Sequence, residues 1–253
     1  MSSGSLKRIV PSWKNVLLAV LASVLLILAF PDFEYCFLAW FALVPLMWAV
    51  EREKASTFKS FVLGWIFGTI FFSGTCWWLT YAPINYAGFP PLLAYFLLFC
   101  VTAITGLFPG IFAAILSVLL RRFGSWAFLA APFVWVFTEF LRYWLTGNSW
   151  NAIGYSQAFT LVGLMPLASV GGACLISFGL LWTNSVIGMT ILIRINRRAK
   201  GVLVFTTILC LSFCFGFQIF GTSKNLSYDA AIIAVQPNVP MAGVTSEIGR
   251  AHV

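Results

Sequence analysis

Runs of about 20 apolar residues recur along this 253-residue chain, and they constrain its fold more than any other feature. A helix of that length crosses the roughly 30 Å hydrocarbon core of a bilayer. Charged residues make up only 9% of the chain, whereas a typical soluble domain carries about 25%. The sequence therefore predicts a polytopic membrane protein built from helices.

Seven apolar runs can be delimited between the short polar segments. Pro45 interrupts the second run, Pro109 and Gly110 predict a kink in the fourth, and Gly171 with Gly172 predicts an irregular start to the sixth. The fold class that follows is an all-α polytopic membrane bundle of about seven transmembrane helices. The runs lie at about 16–30, 36–50, 61–81, 92–120, 126–145, 161–193 and 202–220.

The distribution of positive charge orients this bundle. Of the 15 lysines and arginines, 12 fall on one side of a seven-span arrangement and 3 on the other. Cytoplasmic loops carry the excess of such charges, so we expect a cytoplasmic N-terminus. The loops at 31–34, 82–91 and 146–160, and everything after about residue 220, then face outward. The net charge of +8 is therefore a topology signal, and we predict no nucleic-acid partner.

The C-terminal segment changes character. Residues 230–235 are apolar, partly β-branched and bounded by turn formers, which is typical of a buried strand. One such strand is not stable alone, so it predicts the start of a truncated soluble domain. We expect a transmembrane domain at 1–222 and the start of the soluble domain at 223–246. Residues 247–253 resemble the translation of a widely used sequencing adapter, which predicts a non-native tail.

The segment 138–157 is the longest polar interruption of the apolar pattern. Glu139 and Arg142 are three residues apart, so they share a helix face and can pair with each other. Ionisable groups at membrane depth are costly and favour a functional role, here the binding of a lipid headgroup. The alternative is a neutralised pair that holds the fifth helix against its neighbours. Trp150 and Tyr155 are candidates for a substrate groove or for an interfacial aromatic belt.

The chain offers no complete catalytic set of its own. Its one histidine, His252, is second from the end, so no Ser-His-Asp or Cys-His pair forms inside the fold. The six cysteines lie in or beside apolar segments without paired metal-ligand spacing. We predict no cofactor and no metal site.

Four separated motifs resemble the apolipoprotein N-acyltransferase family, in the family's order, over about residues 14–240. One departure is that Asn148 and Ser149 stand where the family usually has Phe-Pro before the loop tryptophan, which changes the expected turn. The motifs are Phe30-Pro31 followed by LAWFALVPL at 38–46, Trp135 with TEFLR at 138–142, Trp150 with GYSQ at 154–157, and VQPNVP at 235–240.

The resemblance implies the last step of bacterial lipoprotein maturation in the inner membrane. An acyl chain moves from a phospholipid donor to a cysteine thiol, and then to the α-amine of the diacylglyceryl apolipoprotein acceptor. The Glu-Lys-Cys set implied for this chemistry belongs to a nitrilase-like domain and matches no position here. We therefore expect residues 1–253 alone to be inactive. The candidate substrate-binding residues are Glu139, Arg142, Trp150, Tyr155 and Gln157.

Two other classes of protein are compatible with a multi-pass bundle. A small transporter or channel predicts several ionisable groups facing one pore, whereas the spans contain essentially the pair Glu139 and Arg142. A membrane scaffold for a glycosyltransferase is the third possibility.

Overall fold

The fold is taken from a computed structural model that describes residues 10–158, 165–192 and 197–208. The chain divides into two units, Met1–Thr222 and Ser223–Val253, and the described residues all lie in the first. The predicted strand at 230–235, the tail at 247–253 and most of the seventh run lie outside the described residues. The predicted domain boundary after residue 222 stays a prediction.

Within the described residues every regular element is a helix. Residues 197–208 are also helical. Short 3-10 helices occur at Cys36–Trp40, Trp77–Thr80, Gly124–Ala130 and Ile153–Gln157. The α-helices are α1 (Trp13–Leu28), α2 (Val44–Glu53), α3 (Thr57–Thr75), α4 (Tyr81–Asn85), α5 (Pro91–Thr105), α6 (Leu107–Phe123), α7 (Ala131–Thr146) and α8 (Met165–Leu192).

Three helical stretches in the described part are long and apolar enough to cross a membrane: Thr57–Thr75, Pro91–Thr146 and Leu167–Ile191. The second contains α5, α6 and α7, where the sequence predicts two passages. Helix α1 is apolar but has only 16 residues. A helical bundle able to span a membrane is thus confirmed, and the number of seven spans stays a prediction.

The centre of the bundle is the crossing of α3 and α6, which small residues allow to be very close. A Cβ atom added to Gly64 would overlap the carbonyl oxygen of Pro109. One added to Gly68 would lie 2.8 Å from Cγ of Pro109 and 2.9 Å from Cα of Gly106. Such contacts compensate for the lack of a hydrophobic driving force between helices in lipid. Large apolar side chains fill the space around this crossing, among them Phe67, Phe71, Phe112, Phe128 and Leu116.

The predicted kink at Pro109 and Gly110 is wrong by three residues. Helix α5 ends at Thr105, and α6 begins at Leu107 after Gly106. Pro109 therefore lies in the first turn of α6, where a backbone N–H has no partner within the helix. The proline can be accommodated there without loss of a helical hydrogen bond.

The second predicted span is broken rather than continuous. A 3-10 helix at Cys36–Trp40 precedes α2, whose 10 residues extend about 15 Å. Asn184 of α8 is fully buried, and its side chain provides hydrogen-bond partners for backbone groups in this break. Its Oδ1 accepts from the Leu43 N–H at 2.9 Å, and its Nδ2 donates to the Ala39 carbonyl at 2.9 Å. Irregular backbone at membrane depth requires such protein partners.

The predicted irregularity near the start of the sixth run is confirmed. Gly171 (φ −138°, ψ 17°) and Gly172 (φ 62°, ψ −164°) are non-helical within α8. The second of these conformations is essentially confined to glycine, because a Cβ atom clashes with the backbone there.

The bundle has two ends of different character. The basic end comprises the start of α1, the end of α2, the start of α3 and the end of α6, joined through Glu53 and Arg121. The loop end comprises the other ends of α1 and α3, the end of α7 and the loop and turn at 147–158. The segment 138–157 lies at the loop end.

Candidate functional site

The loop after α7 folds back over the ends of α3 and α7. Gly147 ends α7 in the left-handed conformation (φ 66°), and its N–H donates to the Tyr143 carbonyl. Asn151 is also left-handed (φ 55°), which asparagine tolerates better than most residues. The chain then enters the 3-10 helix Ile153–Gln157. Two left-handed residues thus bring the loop back against the helix it has just left.

Glu139 anchors the far side of this loop. Its side chain is buried, and Oε1 accepts from the Trp135 indole N–H at 2.8 Å and from the Ile153 N–H at 2.9 Å. The first donor belongs to α7 and the second to the loop, 14 residues further along the chain. Because both donors are buried, removing the carboxylate would leave both without an acceptor.

Arg142 anchors the near side and is 4% exposed. Its Nη1 donates to the Trp150 carbonyl, and its guanidinium lies 5.1 Å from the centre of the Phe72 ring. It forms no ion pair with Glu139, although both are among the described residues. The pairing that their spacing allows is therefore not a direct ion pair: each side chain bonds to the loop backbone, and the two opposite charges interact at longer range.

Asn151 ties the loop to the end of α3, a role that the sequence did not reveal. Its Nδ2 donates to Thr75 Oγ1 at 2.7 Å and contacts Cys76 Sγ at 3.0 Å. The Trp150 ring packs against Trp78, with 5.7 Å between ring centres. No local signal could link positions 75–78 to positions 150–151, because the contacts depend on the tertiary arrangement.

A first cleft, cleft A, opens between α3, α5, α7 and the loop. Its volume is about 270 Å³, and its walls are mostly apolar. Arg142 lies in this wall, as do Thr102, Thr105 and Thr146. The apolar lining comes from Phe72, Leu79, Val101, Ile104 and Trp150.

A second cleft, cleft B, lies between the ends of α1 and α3 and the turn at 151–158. Its volume is about 290 Å³. Asp32 lines it, and its Oδ2 accepts from the Trp77 indole N–H at 2.8 Å. The other lining residues are Ile27, Phe30, Pro31, Gly74, Thr75, Trp78, Asn151, Tyr155 and Ala158.

The remaining predicted site residues separate into two groups. Trp150 and Tyr155 are 53% and 42% exposed, and they line cleft A and cleft B respectively. Gln157 is 2% exposed and lines neither cleft. Its Nε2 donates to the Cys36 carbonyl at 2.9 Å, which ties the turn to the broken segment after α1. Glu139 likewise acts on the loop backbone and lines neither of these two clefts.

The loop end offers groups that are suited to binding a ligand. Among the described residues no group of three histidine, cysteine or acidic side chains could hold a metal ion. What the arrangement offers is a buried cation in cleft A, an exposed carboxylate in cleft B and apolar walls in both. These features suit amphipathic ligands with charged groups.

Comparison with known proteins identifies the class of this helical membrane domain. Residues 22–186 match the family model of the apolipoprotein N-acyltransferase N-terminal domain. The chain is 30% identical over 214 residues to an apolipoprotein N-acyltransferase of Geobacter metallireducens, covering 81% of this chain and 40% of that protein. It is 26% identical over 212 residues to one of Pasteurella multocida, covering 82% and 39%. It is 34% identical over 198 residues to one of Methylococcus capsulatus, covering 74% and 36%.

The chain belongs to the apolipoprotein N-acyltransferase family, as the resemblance of its motifs indicates. It spans about two fifths of the length of the first curated relatives that it matches. The match with the family model includes α7, the loop and most of α8, so the site described here lies within the family domain.

Proposed function

We propose that this chain forms the membrane domain of an enzyme that transfers an acyl chain from a phospholipid to the α-amine of diacylglyceryl cysteine in bacterial lipoproteins. Membership of the family and the printed names of the relatives support this activity. The role assigned to the chain is to bind lipid. Making and breaking the thioester is left to the Glu-Lys-Cys set of a nitrilase-like domain, and no residue here receives a catalytic role.

Arg142 in cleft A is the observation that carries the proposal. A guanidinium that is 4% exposed and lacks a direct ion pair is costly to bury even with Glu139 in electrostatic reach, so a site of this kind favours an anionic occupant. A phospholipid supplies that charge with its phosphate. Its acyl chain matches the apolar wall formed by Phe72, Leu79 and Ile104.

We further propose the finer topology that the charge distribution predicts. In this topology seven spans cross the bacterial inner membrane. The N-terminus and the basic end face the cytoplasm, and the loop end faces the periplasm. The split of 12 positive charges against 3 supports this orientation. The two clefts would then open where the outer leaflet meets the periplasm, which is the side that lipoprotein acceptors occupy.

A chimaera tests the activity. This chain replaces the matching 40% of the Geobacter metallireducens relative, and the purified product is assayed for acyl transfer from phospholipid to a diacylglyceryl-cysteine peptide. We expect N-acylated peptide. A chimaera that inserts into membranes and is stable, yet transfers no acyl chain, would contradict the proposal. Residues 1–253 without the other domain are expected to yield no product.

Arg142→Gln in the same chimaera tests the assigned role. Loss of a charge-assisted bond to phosphate corresponds to about 1.5–3 kcal/mol, which raises the KM for phospholipid roughly 10- to 150-fold. Arg121→Gln is the matched control, because Arg121 also donates to a backbone carbonyl but lies at the basic end. Equal KM values for the two variants would remove Arg142 from the donor site.

The transporter and scaffold alternatives gain no support from the site. Among the described residues, the buried charged side chains are Glu139 and Arg142. Both hold the backbone of the loop, so they do not line up along a path through the bundle.

A further inference from the structure

The two clefts at the loop end are opposite in charge. Among the described residues that line cleft A there is one cation, Arg142, and no carboxylate. Cleft B is lined by one carboxylate, Asp32, and among its described lining residues there is no lysine or arginine. Two clefts of similar volume, about 270 and 290 Å³, therefore favour ligands of opposite charge.

Cleft B combines the two groups that recognise organic ammonium ions. A carboxylate forms short, charge-assisted hydrogen bonds with an ammonium N–H. Aromatic rings attract the same cation through their negative faces, and Phe30, Trp78 and Tyr155 line the cleft beside Asp32. The hydrogen bond from Trp77 to Oδ2 fixes the carboxylate and leaves Oδ1 available.

The remaining walls of cleft B are suited to hydrocarbon. Ile27, Pro31 and Ala158 line it, and Ile27 belongs to the apolar helix α1. An ammonium held at Asp32 can thus carry a lipid anchor that follows the bundle surface. A soluble polyamine or a free amino acid would leave these apolar walls unused.

We propose that cleft B binds the primary ammonium group of a diacyl lipid amine, with Asp32 as its counter-charge. This inference rests on the proposed function, in which one substrate is an amine on a diacylglyceryl cysteine. The same chemistry occurs in the headgroup of phosphatidylethanolamine, so the test must separate the two sources. Asp32 is thereby a specificity-determining residue on the acceptor side, as Arg142 is on the donor side.

A binding measurement on the full 253-residue chain tests this site. The chain in detergent micelles is titrated with a fluorescent dipalmitoylglyceryl-cysteine peptide that has a free α-amine, and with the same peptide N-acetylated. We expect the free amine to bind at least about 10-fold tighter, because acetylation removes the charge. Asp32→Asn is expected to abolish that preference, and Asp32→Glu to retain most of it.

The matched control is Glu34→Gln, a neighbouring exposed carboxylate that does not line cleft B. It should leave the preference for the free amine unchanged. The Asp32→Asn side chain still offers an oxygen to Trp77, so its fold should be retained; circular dichroism of the variant checks this. Equal affinities for free and acetylated peptide, or equal losses in the two variants, would overturn the proposal.

Competition distinguishes the sources of the amine. Displacement by phosphatidylethanolamine but not by phosphatidylglycerol assigns the site to lipid ammonium groups in general. No displacement by either lipid restricts it to the lipopeptide. Displacement by phosphatidylglycerol alone contradicts the site. The measurement involves no acyl transfer. An inactive chimaera that still binds the amine would therefore contradict the proposed function but support amine binding in cleft B.

Discussion

The two ends of the bundle differ in how deeply their charged side chains are buried and in whether these side chains form ion pairs. At the basic end, charges also pair with one another: Lys54 Nζ lies 2.8 Å from Glu51 Oε1, and Lys59 Nζ lies 3.8 Å from Glu53 Oε2. Glu53 and Arg121 bond in addition to backbone groups of neighbouring segments. At the loop end, Glu139 and Arg142 are buried, form no ion pair together and hold backbone groups of the loop.

This difference separates charges in partly exposed ion pairs from buried charges that bond the loop backbone. A half-exposed pair such as Lys54–Glu51 contributes about 0–1 kcal/mol, so this pair can change without altering the fold. A buried donor left without its acceptor costs about 1–3 kcal/mol. The bonds of Glu139 to the loop are therefore expensive to lose, as expected beside the proposed binding site.

Glu139→Ala is the strongest challenge to this comparison. It leaves the Trp135 indole N–H and the Ile153 N–H without an acceptor, which should lower the free energy of unfolding by about 2–6 kcal/mol. Glu139→Gln keeps an acceptor oxygen and should lose clearly less. Glu51→Ala, at the basic end, should stay within about 0.5 kcal/mol. Denaturant unfolding in micelles measures all three, and a similar loss in the first and third would abolish the distinction.

Asn151→Ala should have the next largest effect, a loss of about 1–3 kcal/mol. The change removes the bonds to Thr75 and Cys76 and places a Cβ-bearing residue without a polar group at φ 55°. Asn151→Gly keeps the backbone conformation and separates the two causes. Asn15→Ala is the counterpart at the basic end, where Nδ2 donates to Glu53. If Asn15→Ala lowers the free energy of unfolding more than Asn151→Ala does, stabilisation by buried side-chain hydrogen bonds is not particular to the loop end.

Arg142→Gln sharpens the comparison, because we expect a small change in stability there. The lost bond to the Trp150 carbonyl is offset by removal of a buried charge, so unfolding should change by no more than about 1 kcal/mol. The effect on phospholipid KM proposed above should nevertheless remain. A loss of stability as large as that of Glu139→Ala would make Arg142 a structural residue instead.

The pair Lys54–Glu51 should give the smallest effect. A double-mutant cycle with alanine at both positions is expected to give a coupling of about 0.3–0.5 kcal/mol, reduced further by 1 M salt. A coupling above about 1 kcal/mol that is insensitive to salt would show that the basic end also fixes geometry.

The sequence predicts the helical class and indicates the segment that carries the candidate site, but it does not reveal the partners within that site. Apolar runs and the polar segment at 138–157 suffice for the first two, because burial and bilayer thickness act locally along the chain. The i, i+3 spacing of Glu139 and Arg142 favours a local pair, whereas the fold offers each a loop group 8 or 14 residues away. The tertiary structure decides which partner each side chain bonds, so residue spacing alone cannot predict it.

Other parts of the site lacked a usable signal. Asp32 is one of two acidic residues in a turn, and only the fold brings it beside Trp78 and Tyr155. Gln157 stands in the motif that predicts a groove residue, yet it is buried against the Cys36 carbonyl. Asn184 was detectable as a polar residue inside an apolar run, but its partners lie 141 and 145 residues earlier.

The bond between Asn184 and the break before α2 has a consequence for biogenesis. Leu43 leaves the ribosome 141 residues ahead of Asn184, a delay on the order of 10 s at ordinary rates of synthesis. During that interval its N–H and the Ala39 carbonyl lack their final partner. The segment between α1 and α2 therefore acquires its final hydrogen bonds only after α8 has been synthesised.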